Sequence, residues 1–217
     1  MNCGMYLRRM TVSRRNAPIQ NRNKSYQRRR VDQFKPRKTI LIVCQGIRTE
    51  PNYFSKFGTE WLTVKIHKVG KDTKSVVDKA KELKKGYEET WVVFDKDDFE
   101  DTAFDQSIQS ARRSNINVAY SNECFEVWYI LHFEYLNTAI PRADYFSKLG
   151  KSMDCDYSKA SDSMYERLKG RMETAIVNAK KLMDEYEPSS QPSRNNPSTT
   201  VHLLVEELME QAKPRYR

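Results

Sequence analysis

Two short apolar runs, each followed at once by polar residues, constrain the fold of this chain more than any other feature. The first run covers residues 40–44 and leads into Gln45 and Gly46, and the second covers 91–94 and leads into Asp95 and Asp97. Short apolar runs of this length are typical of buried strands. In open α/β folds, ligands bind where the carboxyl ends of such strands meet. We therefore expect both polar groups to lie at one edge of one sheet.

The rest of the chain alternates between strand-like runs and segments of helical periodicity. This alternation predicts an α/β fold with a mostly parallel sheet of about four strands flanked by helices. The predicted strands are 39–44, 62–68, 90–95 and 116–120, and the predicted helices are 51–60, 73–87, 104–114, 124–133, 161–185 and 199–211. From about residue 145 onward the pattern is helical, apart from a loop rich in Pro, Ser and Asn at 187–197.

The net charge of +9 is concentrated at the amino terminus. Residues 1–39 contain 12 Lys or Arg but a single acid, Asp32, and they are poor in apolar residues. Such a segment cannot bury enough surface to offset its ordering entropy. We predict a disordered basic tail over 1–38, an α/β domain over 39–144 and a helical extension over 145–217 that packs on it.

The arginines of the tail are candidates for binding nucleic-acid phosphates, which would make affinity fall with salt. The candidates are Arg14, Arg15, Arg28, Arg29 and Arg30. The alternative is a tail that only keeps the protein in solution or docks on a neighbouring subunit. A homo-oligomer is therefore left open.

Several classes of protein are disfavoured by what the sequence lacks. Its cysteines, Cys3, Cys44, Cys124 and Cys155, have neither zinc spacing nor a Cys-x-x-Cys pair, so we expect reduced thiols in a cytoplasmic protein. No apolar stretch approaches the roughly 18 residues that a membrane span needs, so we expect no membrane partner. The chain has neither GxGxxG nor GxxxxGK[ST], so we expect a partner to perform any ATP hydrolysis.

Asp95 and Asp97 are the strongest candidates for binding a metal. Side chains alternate along an extended segment, so these two carboxylates face one way and Lys96 faces the other. Mg²⁺, or Mn²⁺ in its place, prefers oxygen ligands of this kind and keeps water sites for substrate phosphates. The alternative for a lone Asp-x-Asp is a solvated acidic turn.

Other residues have candidate roles that the sequence leaves open. His132 is either a catalytic base or a histidine with a structural role. Glu126, on an otherwise apolar helix, needs a buried partner, for which His132 or an arginine is a candidate. Arg48, Lys96 and Lys159 are candidate phosphate contacts, although exposed cations are more often only surface residues.

Four stretches taken together resemble the RloB-like family: 40–54, 92–97, 121–132 and 196–201. The resemblance spans roughly residues 40 to 210. It implies a TOPRIM (topoisomerase-primase) domain of restriction-linked and abortive-infection phage-defence loci. It further implies a magnesium-dependent nuclease, often encoded beside an ABC/AAA-type ATPase. Similar TOPRIM effectors cut DNA and others cut tRNA, so the resemblance does not determine the substrate.

The resemblance also assigns site residues, and this chain departs from the pattern at one of them. The family's glutamate falls on Gln45, its glycine on Gly46, its second acid on Glu50 and its Asp-x-Asp pair on Asp95 and Asp97. Gln45 carries no charge and accepts no proton at neutral pH. Three explanations remain: Glu50 compensates, the protein is a binding module that has lost catalysis, or the chain is an inactivated variant.

Overall fold

The computed structural model describes residue 1 and residues 37–159, 161–188 and 190–214. The five candidate arginines of the basic tail lie outside these residues. The described residues from 37 onward belong to one compact unit. Among them, no helix is long and apolar enough to cross a membrane.

A five-stranded, mostly parallel sheet forms the centre of this unit, which confirms the predicted fold class. Its strands are β1 (Lys38–Cys44), β2 (Leu62–Lys68), β3 (Glu89–Asp95), β4 (Asn117–Asn122) and β5 (Ser198–Thr199). The spatial order is β2-β1-β3-β4-β5, and only the pairing of β4 with β5 is antiparallel. The prediction of about four strands missed β5, because two residues are too short to show a period.

The strand order creates a crevice above β1 and β3. From the carboxyl end of β1 the chain leads to β2 on one side, whereas from the carboxyl end of β3 it leads to β4 on the other side. These two connections diverge from neighbouring strand ends, so the carboxyl ends of β1 and β3 stay uncovered. The polar residues after the two apolar runs follow these two strands.

Helices cover both faces of the sheet. They are α1 (Thr49–Phe54), α2 (Thr73–Leu83), α3 (Asp101–Arg113), α4 (Glu126–Ile130), α5 (Arg142–Met153), α6 (Met164–Leu168), α7 (Met172–Asp184) and α8 (Val201–Gln211). The predicted long helix at 161–185 is divided into α6 and α7 by a 3₁₀ turn at Lys169–Arg171. Gly170 lies in that turn, and glycine is a poor former of helix interiors. α4 has five residues instead of the predicted ten.

Two hydrophobic clusters, one on each face, explain why β1 is apolar throughout. Ile40 and Ile42 belong to the cluster that contains α1, α4, α7 and α8 residues, whereas Leu41 and Val43 belong to the cluster that contains α2 and α3 residues. All four side chains are buried. A parallel strand covered on both faces has no solvent side, so its sequence does not alternate.

The carboxy-terminal helices attach to this sheet directly. α8 packs against β4, and α7 packs against β5. At the start of β1, the ammonium of Lys38 lies 2.5 Å from Glu89 of β3 and 3.1 Å from Glu207 of α8. Among the described residues, Cys44, Cys124 and Cys155 are free cysteines.

Candidate functional site

A cavity of about 630 Å³ opens at the carboxyl ends of β1 and β3. It brings together eight of the residues that the sequence analysis singles out, although they come from distant parts of the chain. Its lining comprises Gln45, Gly46, Ile47, Arg48, Thr49, Glu50, Gly70, Lys71, Asp95, Asp97, Phe99, Phe125, Glu126, Arg142 and Lys159.

Gln45 connects the ends of the two central strands. The backbone N–H of Asp95 donates to Oε1 of Gln45 at 2.9 Å, and the backbone N–H of Gln45 donates to the Val93 carbonyl at 2.8 Å. Because a backbone N–H only donates, the amide oxygen must be the atom that faces Asp95. A glutamate oxygen could accept the same bond. The glutamine therefore retains the connection between strands and lacks only the negative charge.

Gly46 allows Glu50 to approach the backbone closely. The Gly46 N–H donates to Oε1 of Glu50 at 3.2 Å, and a Cβ on residue 46 would lie only 2.1 Å from Oε2. Gly46 has no positive φ, so this close approach is what requires a glycine. Burial raises the pKa of Glu50 to about 7, and repulsion from Glu126 adds to the shift, while the hydrogen bond from Gly46 opposes it. Glu50 therefore exchanges a proton near neutral pH.

Asp95 is a buried carboxylate whose burial is not fully offset by hydrogen bonds or nearby cations. Its residue is 8% exposed, and Oδ1 has no hydrogen-bond partner among the described residues. Burial raises the pKa of Asp95 well above its usual range, and repulsion from Glu50, Asp97 and Glu126 raises it further. A buried carboxylate of this kind is costly unless a proton or a cation accompanies it. The position suits a positively charged ligand.

Asp97 pairs within the cavity with Arg142, which the sequence did not indicate as a site residue. The Arg142 guanidinium donates to Oδ1 of Asp97. Asp97 has φ 42°, a left-handed conformation that aspartate tolerates better than most residues. Burial still raises the pKa of Asp97, although Arg142 and Lys159 act to lower it. The arginine therefore does not fully offset the burial of this carboxylate.

Glu126 finds partners other than those that the sequence predicted. The hydroxyl of Tyr157 donates to its Oε1 at 2.8 Å, and the ammonium of Lys159 lies 3.8 Å from the same oxygen. The expectation of His132 or an arginine was wrong, because α4 turns Glu126 toward the cavity and His132 toward the core. Lys159 also lies 5.1 Å from the centre of the Phe146 ring. Four carboxylates thus share the cavity with the cations Arg48, Lys71, Arg142 and Lys159.

His132 is not brought to the cavity. Its side chain is fully buried, its Nδ1 lies 2.9 Å from the Trp128 carbonyl, and its ring packs edge-on against the Trp128 ring at 4.8 Å. Burial lowers its pKa to about 4, so the ring is neutral at pH 7. Because the carbonyl can only accept, Nδ1 carries the proton.

Lys96 also lies outside the cavity lining. Its ammonium donates to the Phe99 carbonyl and pairs with Asp101 at 3.1 Å. The side chain therefore stabilises the turn that precedes α3. This position agrees with the expectation that Lys96 points away from Asp95.

Two cations of the cavity were not among the predicted site residues. Lys71 follows β2 at the same edge of the sheet, so the rule that ligands bind at carboxyl ends of parallel strands could have found it. Arg142 begins α5, some 45 residues beyond Asp97 in the chain. No local pattern in the sequence marks Arg142.

The cavity offers oxygen donors that suit Mg²⁺ or Mn²⁺. The orphaned Oδ1 of Asp95 and the mutual repulsion of Glu50, Asp95 and Asp97 both fit a divalent cation. However, no three His, Cys, Asp or Glu side chains in residues 37–159, 161–188 and 190–214 are grouped closely enough to hold an ion as they stand. The cavity therefore has the oxygen ligands that such a cation prefers, but its carboxylates are not close enough together to bind one in this structure.

Comparison with known proteins gives one match. A family model described as "RloB-like protein" matches residues 40–208, which include the whole cavity lining. No curated protein and no solved structure matches the chain.

Proposed function

We propose, from the premise that this chain belongs to the RloB-like family, that its cavity is the site of divalent-metal-dependent phosphodiester hydrolysis. The observation that carries the proposal is Oδ1 of Asp95, a buried carboxylate oxygen that lines the cavity without a partner in the described part of the chain. The substrate class is nucleic acid, either DNA or tRNA.

The carboxylates have distinct roles in this proposal. Asp95 and Asp97, helped by Glu50, hold Mg²⁺ or Mn²⁺, which when bound supplies a Lewis acid for the phosphate and a water of lowered pKa. Gln45 orients Asp95 through the hydrogen bond to its backbone. Glu50, with a pKa of about 7, can exchange a proton with the reacting groups at neutral pH.

Three cations of the cavity lining bind the substrate in this proposal. Arg48, Lys71 and Lys159 line the same cavity as the carboxylates. Phosphate contacts of Lys and Arg position a nucleic acid without reading its sequence. This arrangement supports cleavage that depends on backbone geometry more than on base identity.

We extend the proposal to the biological setting that the family resemblance implies. The protein acts as a TOPRIM-like nuclease effector of anti-phage, abortive-infection defence, together with an ABC/AAA-type ATPase. The absence of a glycine-rich phosphate-binding motif in the sequence supports a separate source of ATP hydrolysis.

A second candidate function is a non-catalytic subunit that binds nucleic acid or the ATPase partner. The observation that favours it is the neutral Gln45, whose amide oxygen already accepts from the backbone of Asp95. One missing carboxylate removes about 1 kcal/mol of attraction to a unit charge at ~4 Å in water and about 4 kcal/mol at the protein surface, doubled for a divalent ion. That loss is large enough to lower the affinity for a divalent cation by orders of magnitude.

The deciding experiment is a titration with Mg²⁺ or Mn²⁺ in the presence of single-stranded DNA, duplex DNA or tRNA. The chain is compared with Asp95→Asn, Gln45→Glu and the control Asp78→Asn, which removes an exposed carboxylate on α2. We expect Asp95→Asn to abolish metal-dependent cleavage, Asp78→Asn to retain it, and Gln45→Glu to tighten metal binding by roughly tenfold or more.

Two outcomes contradict the nuclease proposal. If neither the chain nor Gln45→Glu cleaves any substrate, and binding survives EDTA but falls with salt, the second candidate is favoured. If Asp95→Asn binds metal as tightly as the unmodified chain, the cavity is not the metal site.

A further inference from the structure

We infer that Arg142 is a displaceable counter-ion of the cavity: it neutralises Asp97 in the metal-free protein, yields Asp97 to the divalent cation, and then binds the substrate phosphate. This inference rests on the proposed function, because it concerns the same cavity. It assigns a role to a residue that the sequence did not single out.

The position of Arg142 is the first observation behind this inference. Its guanidinium pairs with Asp97 inside the cavity, yet its side chain remains 35% exposed and that of Asp97 23% exposed. A pair with this much access to water can be opened from the cavity without unfolding its surroundings. By contrast, Asp95 is almost fully buried, and its Oδ1 has no hydrogen-bond partner among the described residues.

The second observation is that Arg142 is poorly placed for the helix it begins. It is the first residue of α5, a 12-residue helix that follows Pro141. A helix amino terminus carries partial positive charge, so a cation there is unfavourable. Helix stability therefore does not account for an arginine at this position. The attraction of the cavity carboxylates does.

The third observation is that the carboxylates of the cavity are not grouped closely enough to bind a metal ion in this structure. Asp97 is turned toward Arg142 by a left-handed backbone conformation, and the described residues contain no preformed group of three metal ligands. Burial raises the pKa of Asp95, and the charges of Glu50 and Asp97 raise it further, so a divalent cation bound at Asp95 would attract Asp97 as well. Metal binding and the Arg142 pair therefore compete for one side chain.

The released guanidinium would lie beside a metal site with its hydrogen-bond donors unused. Arginine presents five N–H donors in a planar fork that matches two oxygens of a phosphate. A phosphodiester bound to the metal would thus meet Arg142 from the α5 side of the cavity.

A permanent structural ion pair is the competing explanation, and the two differ in how metal and substrate respond to substitution. Displacement predicts opposite effects when Arg142 is removed: metal binding becomes tighter because a competitor is lost, and nucleic-acid binding becomes weaker because a phosphate ligand is lost. A permanent pair predicts that both properties change only as far as folding does.

The first test is a Mn²⁺ titration followed by electron paramagnetic resonance. We expect Arg142→Ala to lower the Kd for Mn²⁺ by roughly tenfold, equivalent to about 1.4 kcal/mol, and Arg142→Lys to stay near the unmodified value because the charge remains. The control is Lys148→Ala: Lys148 lies on the same helix with the same 35% exposure, but pairs with Glu134 instead. Thermal unfolding in EDTA checks that each variant folds.

The second test observes the guanidinium itself. In protein labelled with ¹⁵N-arginine, the Nε–H signal that disappears in Arg142→Lys belongs to Arg142. Displacement predicts that Mg²⁺ moves this signal in the unmodified chain and leaves it in place in Asp95→Asn. A signal that does not respond to saturating Mg²⁺ would overturn the inference.

The third test measures binding of single-stranded DNA with Ca²⁺ as a cation that does not support cleavage. We expect Arg142→Ala to weaken binding by about tenfold to a hundredfold, the range for a hydrogen bond to a charged group. Lys148→Ala should bind as the unmodified chain does. Arg142→Lys should recover only part of the loss, because lysine cannot form two parallel bonds.

The failure of this inference is distinguishable from the failure of the proposed function. If the unmodified chain binds Mn²⁺ and Arg142→Ala has the same Kd, the metal site stands and displacement is overturned. If neither protein binds Mn²⁺ and Asp95→Asn behaves identically, the proposed function is overturned, and the inference with it.

Discussion

The raised pKa of Glu50 predicts an unusual dependence of stability on pH. We expect the metal-free protein to lose stability as pH rises through the range from about 4.5 to about 7, and we expect Glu50→Gln to remove most of this loss. The substitution retains an oxygen that can accept from the Gly46 N–H, so it changes the charge and leaves the hydrogen bond.

The direction and the size of this change in stability follow from the pKa of Glu50 in the unfolded chain and its pKa in the folded chain. The unfolded group loses its proton near 4.5, whereas the folded group keeps it to about 7, so between these values the folded state binds more protons. Stability then falls with rising pH. The interval corresponds to about 3 kcal/mol, at about 1.4 kcal/mol for each pH unit. The stabilisation is fully present below about 4.5 and is lost above about 7.

Urea unfolding in EDTA at a series of pH values measures this effect. Relative to the unmodified chain, Glu50→Gln should gain up to about 3 kcal/mol above pH ~7 and gain nothing near pH ~4.5. Glu60→Gln removes the same charge from an exposed position, and we expect it to follow the unmodified chain at every pH.

Adding Mg²⁺ supplies a second comparison. On the proposed function, the cation stabilises the unmodified chain above pH ~7 by binding the ionised carboxylates, and Glu50→Gln should respond less. If the stability difference between the two proteins were the same at low and high pH, Glu50 would not titrate as the structure indicates. The reasoning from its burial would then be refuted.

Three further predictions concern packing, capping and the placement of the candidate base. Gly46→Ala should destabilise the protein by about 1–3 kcal/mol in thermal unfolding, because its Cβ would lie 2.1 Å from Oε2 of Glu50. Unchanged stability would mean that the Glu50 carboxylate moves away without cost. Asp72→Ala should cost about 1 kcal/mol in urea unfolding, because the Asp72 carboxylate caps α2 by accepting from the Ser75 N–H, whereas Asp72→Asn should cost less. His132→Phe should leave the Kd for Mn²⁺ unchanged by titration, because this side chain lies outside the cavity; a large change would place the histidine in the site.

Several features of this protein followed from local patterns in the sequence. The runs at 40–44 and 91–94 predicted buried parallel strands, and the polar residues after them predicted a site at the sheet edge. These predictions depend on neighbours along the chain, which a sequence displays directly. Membership of the RloB-like family, inferred from four short stretches, is confirmed by the family model.

The sequence did not reveal which distant residues complete the cavity. Arg142 pairs with Asp97 across some 45 residues of chain, and Tyr157 reaches Glu126 across 31. Such contacts depend on how α4 and α5 pack, and no period or spacing encodes them. The same packing directs His132 into the core, although a histidine within reach of a metal site would have suited catalysis as a base.

The chain alone thus specified the strands, the edge at which they end and the carboxylates placed there, because each depends on residues close together in sequence. Tertiary structure decided the electrostatic state of those carboxylates. Burial left Oδ1 of Asp95 without a hydrogen-bond partner among the described residues, brought Glu50 against the Gly46 backbone and set Arg142 against Asp97. The cost of burying a charge depends on everything that surrounds it, and only folding assembles that environment.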